Sequence, residues 1–122
     1  MLKEQAKSIR TFIGSKDFDI SRSFYRDLGF EELLLGDQMS FFKLGAFGFY
    51  LQNAYVKKWV DNTMVFLEVN SVDETYAWLE ASDIHNKYKR AKLSPIKRLD
   101  WGAECFLHDP SGVLWHFGEF NS

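Results

Sequence analysis

The 122-residue chain repeats itself: a strand, a helix and a group of strands in its first half return in the same order in its second, at a shift of about 54 residues. Under that shift Phe12 falls on Phe66, Asp19 on Asp73 and Phe24 on Trp78. One coincidence would be chance, but several in a shared strand–helix order point to a duplicated βαβββ unit. A half of about 60 residues is marginal alone, so the two must be stabilised together. The chain is therefore read as a single α+β domain over 1–122, with module 1 at about 8–61 and module 2 at about 62–122.

Local signals place the elements. Residues 9–16 read as a strand, and Asp19 is placed to cap the helix after it. Ile20, Phe24 and Leu28 recur there at helical spacing, Tyr25 lies beside them, and Gly29 supplies the stop. Strands are expected at 30–35, 39–44 and 46–52, with Gly36-Asp37 and Gly45 at the turns and a polar stretch at 57–62 closing the half. The second half opens with a strand at 63–69. Ser71 and Glu74 form a capping box for a helix near 72–82, carrying Val72, Tyr76 and Leu79 on its apolar face. A looser stretch covers 86–100, and strands at 103–107 and 113–120 flank Asp109-Pro110-Ser111-Gly112. In that turn Pro presets φ, Asp accepts local backbone bonds and Gly relieves the exit.

Several function classes are disfavoured. Lys plus Arg total 15 against 17 for Asp plus Glu, and no run of basic residues occurs, so no nucleic-acid partner is expected. Charges interrupt every apolar stretch well short of 18 residues, so no membrane span is expected, and the first seven residues lack the apolar run of a secretory leader. Cys105 is the lone cysteine, which excludes an intrachain disulfide and fits a reducing, cytoplasmic setting. Its neighbours Glu104 and Phe106 give no cause for a low thiol pKa, so a structural role is expected.

Two segments carry a resemblance. Asp17-Phe-Asp-Ile-Ser-Arg-Ser-Phe-Tyr-Arg-Asp-Leu-Gly-Phe30 and Trp101-Gly-Ala-Glu-Cys-Phe-Leu-His-Asp-Pro-Ser-Gly-Val-Leu-Trp-His-Phe-Gly-Glu-Phe120 resemble hallmarks of the vicinal oxygen chelate superfamily. That superfamily includes glyoxalase I, bleomycin-resistance proteins, fosfomycin-resistance enzymes and extradiol dioxygenases. The resemblance implies two βαβββ modules whose curved sheets form a cleft, and a homodimer whose clefts often combine modules of both subunits. Aromatic residues at 17% exceed what a chain this size readily buries, which agrees with self-association. One fold hosts many chemistries, so activity has to be argued from the site.

The resemblance places four metal-ligand positions on Arg10, Tyr50, Met64 and His116. A guanidinium repels a cation, a thioether is too soft for the usual ions of this fold, and only His116 is an ordinary ligand. No metal and no cofactor are therefore expected. His85 and His108 form no ligand motif with His116 and read as surface or structural residues. If Arg10 faces the cleft, then Phe12, Tyr50, Gln52, Met64, Phe66, Glu68, Leu114 and His116 face it too, with Trp101 at its rim or in the core. Apolar walls with a few convergent polar groups suit a small molecule, and Arg10 suits a carboxylate or phosphate. Alternatively, Arg10 is a buried charge paired with Glu68 or Glu104. Three functions stay open. The first is a metal-independent binder of an anionic ligand with an aromatic or apolar body. The second is a lyase, isomerase or dioxygenase, with unusual metal ligands or with His116 and Tyr50 as metal-free acid–base groups. The third is a dimerisation module with a vestigial cleft.

Overall fold

A computed structural model describes all residues, 1–122, and contains two βαβββ modules. In module 1, strand β1 (Phe12–Gly14) leads into helix α2 (Phe18–Asp27), followed by β2 (Glu31–Leu34), β3 (Met39–Leu44) and β4 (Phe47–Gln52). These strands form one sheet in the order β1-β4-β3-β2, with β1 parallel to β4 and the rest antiparallel. Module 2 repeats the scheme: β5 (Met64–Glu68), α4 (Val72–Ser82), β8 (Gly102–His108) and β9 (Leu114–Phe120). Its sheet runs β5-β9-β8-β6, where β6 (Lys92–Leu93) and β7 (Lys97–Leu99) both pair with β8. The 86–100 stretch is thus two short edge strands, preceded by a helical turn, α5 (Ile84–Lys87). Two further short helices, α1 (Leu2–Gln5) and α3 (Lys57–Val60), sit at the start and between the modules. No helix is long and apolar enough to cross a membrane.

The first helix starts two residues earlier than its apolar spacing suggests. Asp17, not Asp19, is the cap: its side chain accepts from the Ile20 amide at 3.1 Å. Asp19 lies in the first turn and pairs with Arg22 at 3.0 Å. Both acids suit the positive end of a helix, and Asp17 wins because its backbone is extended, as a cap requires. In α4 the Ser71 hydroxyl caps the Glu74 amide at 3.1 Å, while Glu119 from β9, not the helix itself, accepts from the Val72 amide.

Both helices and one face of each sheet bury a common core. Phe24 and Tyr25 of α2 and Val72 and Leu79 of α4 meet Ile13, Phe42 and Leu51 of the first sheet and Cys105, Leu107 and Trp115 of the second. The Asp109 turn ties the halves together. The Asp109 carboxylate is fully buried and accepts from the Tyr25 hydroxyl at 2.6 Å and from the amides of Ser111, Gly112 and Val113 at 2.8–2.9 Å. Tyr25 in turn accepts from the Trp115 indole at 2.9 Å, and the Ser111 hydroxyl accepts from the Lys16 amide. A second charged node holds α2 to its sheet: Glu32 accepts from Arg22, Arg26 and Ser40, each at 2.6 Å.

Candidate functional site

Because one face of each sheet lies in the common core, the opposite face of each is left uncovered. Residues opposite one another on a ladder share a face, so the register gives the composition of each surface. On the first sheet the row Phe12–Tyr50–Phe41–Leu33 points outward. On the second, three outward rows follow: Met64–Leu114–His108–Lys92, Phe66–His116–Phe106, and Glu68–Gly118–Glu104–Lys97. Phe12, Leu33, Met64 and Phe66 are all exposed, an unusual state for large apolar side chains grouped in this way.

Arg10 and Tyr50 form one cluster. The Phe12 and Tyr50 rings stack at 4.8 Å, Phe41 lies 5.2 Å from Tyr50, and the Arg10 guanidinium sits 4.3 Å above the Phe41 ring. Arg10 also donates to the Tyr50 hydroxyl at 2.9 Å. The alternative of a buried Arg10 paired with Glu68 or Glu104 is not what the structure holds: Arg10 is exposed and no carboxylate of the chain pairs with it. It leaves the sheet before β1 begins at Phe12, so its side chain lies across the aromatic floor and not within it. A hollow of about 630 Å³ opens beside it, lined in part by Glu31, Leu33, Phe41 and Phe47. Gln52 also lies on β4, two residues beyond Tyr50 on the same face.

His116 centres the other cluster. Its Nδ1 lies 2.9 Å from Glu104 Oε1, Phe106 meets it edge-on at 4.7 Å, and Phe66 lies 6.2 Å away. Phe66, Trp101 and Phe120 form an aromatic corner with centroids 5.3–6.2 Å apart, which puts the partly exposed Trp101 at the rim. The Phe66 ring lies over Gly118, where an added Cβ would come within 2.2 Å of it. Glu68 and Glu104 are not a carboxylate pair: Gly118 separates them in the ladder and Glu104 is taken by His116. Met64 is exposed two residues before Phe66 on the same face. His108 shares the outward row of Met64, and His85 lies on α5 beside Asp83 and Asn86, off both sheets.

The four metal-equivalent positions therefore do not line one face of one chain. Tyr50, with Arg10 over it, belongs to the first sheet and Met64 and His116 to the second, and the hollow beside Arg10 includes neither Tyr50 nor His116. Where the two sheets meet, an apolar groove of about 460 Å³ joins Phe66 and Glu68 to Ile9, Thr11, Phe47 and Phe49. The donor set does not fit a divalent ion. Arg10 carries a fixed positive charge, Tyr50 is engaged by it and Met64 offers only a thioether, which leaves His116 as the one ordinary ligand of the four. Burial, helped by Glu104, pushes the Cys105 thiol up to about 11, which makes it a poor nucleophile.

Two features were not read from the sequence. Glu104 was legible as a strand residue but not as the partner of His116, which only the β8–β9 register establishes. Six basic residues also crowd 87–98, and this edge brings Lys92 and Lys97 onto the outward face beside His108 and Glu104.

No family model matches the chain, and no curated protein matches it in sequence. Solved structures do match. A bleomycin resistance determinant encoded on transposon Tn5 is 16% identical with a TM-score of 0.77, covering 96% of this chain and 100% of that one. The bleomycin-binding protein from bleomycin-producing Streptomyces verticillus is 18% identical with a TM-score of 0.77, covering 93% and 96%. Lactoylglutathione lyase from Agrobacterium tumefaciens is 23% identical with a TM-score of 0.70, covering 93% and 94%. At these identities the likeness carries architecture and not activity, and on that basis the chain has the glyoxalase/bleomycin-resistance fold.

Proposed function

We propose that this chain is a metal-independent small-molecule-binding protein that acts as a homodimer. The ligand, anionic with an aromatic or apolar body, lies between the Arg10–Tyr50 face of one subunit and the His116 face of the other. One observation carries this reading: each sheet leaves an aromatic face uncovered, and the candidate polar groups are divided between the two. Joining the first sheet of one copy to the second sheet of another, about a two-fold axis, would cover both faces and make two equal clefts. Arg10 supports an anionic ligand, because its charge has no carboxylate partner and its plane is already fixed by Phe41 and Tyr50. Two of the matching structures are described as binding bleomycin and one as an antibiotic-binding protein, which supports binding as the class of function.

Titration of the tryptophan fluorescence with 2-naphthoate tests this. Arg10→Ala should lose about 1.5–3 kcal/mol of binding, the worth of a hydrogen bond to a charged group, and Arg10→Lys much of the same. Folding stability should change by only about 1 kcal/mol, since the contacts removed, a hydrogen bond to Tyr50 and the stacking on Phe41, are exposed. Unchanged affinity in Arg10→Ala would refute the role of Arg10. One observation favours a second reading, a metal-free acid–base enzyme: the His116–Glu104 pair is the arrangement of an oriented general base. Turnover of a bound compound that is lost in His116→Gln would establish it.

A further inference from the structure

The Glu104 carboxylate fixes more than the position of His116. An ionised carboxylate can only accept hydrogen bonds, so a neutral imidazole 2.9 Å away must carry its single proton on Nδ1. Nε2 is then left as a bare acceptor, and the structure gives it no donor from within the chain. Both side chains are largely buried, at 22% exposure for His116 and 11% for Glu104, and the Phe106 ring packs edge-on against the imidazole. The ring is therefore held and does not turn freely to exchange its two nitrogens. Lys97 stands opposite Glu104 on the ladder but forms no ion pair with it, so His116 keeps the carboxylate. Within the outward row, Phe66 and Phe106 flank His116 and offer it no hydrogen bond.

We infer that Glu104 is a positioning residue that sets His116 as a hydrogen-bond acceptor, and that the ligand carries a hydroxyl or N–H donor remote from its anionic group. This rests on the binding reading above and sharpens it: the ligand class is a hydroxylated or amino-substituted aromatic anion. An analogue that can only accept at that point would meet the Nε2 lone pair and leave it unpaired.

Two measurements test the assignment. In the wild-type protein at pH 7.5, a nitrogen–proton correlation spectrum of the imidazole should show His116 protonated at Nδ1, and Glu104→Ala should lose that preference. Fluorescence titrations should then compare 2-naphthoate, 6-hydroxy-2-naphthoate and 6-methoxy-2-naphthoate. The hydroxy compound should bind roughly ten-fold tighter than the methoxy compound, the scale of one neutral hydrogen bond. Glu104→Gln replaces a group that can only accept with an amide that can accept from Nδ1 or donate to it, so both tautomers are populated and the preference for hydroxyl over methoxy should shrink to about two-fold. His116→Phe should remove the preference for hydroxyl over methoxy altogether. An Nε2-protonated wild type, or equal hydroxy and methoxy affinities, would overturn the inference while leaving the cleft intact. Failure of all three compounds to bind at millimolar concentration would refute the cleft reading, and this inference with it. Should Glu104→Gln not fold, the wild-type spectrum and His116→Phe still decide the matter.

Discussion

Removing the Asp109 carboxylate should be among the most damaging single changes in this chain. Four donors converge on it: the Tyr25 hydroxyl and the amides of Ser111, Gly112 and Val113. Tyr25, Ser111 and Val113 are buried, so water cannot readily replace the lost acceptor. Each orphaned buried donor costs about 1–3 kcal/mol, and local relaxation of the turn will recover part of a four-fold loss. Asp109→Ala should therefore cost about 4–5 kcal/mol, at the extreme of single substitutions. Asp109→Asn is the informative companion. Its amide oxygen can keep the three backbone bonds, and only the Tyr25 hydroxyl loses its acceptor, because the NH2 group in place of Oδ2 can only donate. Its cost should be about 1–2 kcal/mol. Urea unfolding followed by tryptophan fluorescence measures both. Equal losses for the two variants, or a loss under about 1 kcal/mol for Asp109→Ala, would show that the turn does not hold the halves together through this carboxylate.

Three further outcomes follow from the same contacts. Burial pushes the Glu32 carboxyl up, but hydrogen bonds from Arg22, Ser40 and Arg26 outweigh it and hold the group at about 2, against an ordinary 4.5. A depressed folded-state value stabilises the fold above the unfolded value and is lost on acidification, so about 2–3 kcal/mol should disappear between about pH 4.5 and 2, and Glu32→Gln should flatten that slope. Gly118→Ala should displace the exposed Phe66 ring and change ligand affinity with less than about 1 kcal/mol lost in folding, whereas Gly102→Ala would set a Cβ 2.0 Å from the Glu119 carbonyl and force the backbone apart, costing about 3 kcal/mol or more. Elemental analysis of purified protein should find no stoichiometric divalent metal; near one zinc, nickel, manganese or iron per chain, lost in His116→Ala, would restore the metalloenzyme.

The fold was largely legible because its signals are local. The turn at Asp109, the periodic Phe24 and Leu28, and the Ser71 cap each act within a few residues, and their repetition gave the two modules. The first helix cap was displaced to Asp17 because two acids two residues apart both suit a helix start, and only the backbone conformation separates them. The site was harder to read because its decisive relations run between strands. That His116 meets Glu104 depends on a register that brings Phe106 opposite His116, and nothing in the alternation of either strand fixes it. That Arg10 rests on Phe41 depends on a contact across 31 positions of sequence. The division of the candidate residues between two outward faces is likewise a property of how the sheets share a core, which residue types alone do not specify.

The most direct test of a cleft shared between subunits is a mixing experiment with two damaged variants. Arg10→Ala and His116→Ala proteins are each titrated with 6-hydroxy-2-naphthoate, then unfolded together in equal amounts, refolded and titrated again. If each cleft takes Arg10 from one subunit and His116 from the other, every mixed dimer regains one intact site, and about a quarter of all sites should bind with wild-type affinity. If both residues serve a site within one chain, or the protein is a monomer, no wild-type site can form, and the mixture will bind no better than its two components measured apart.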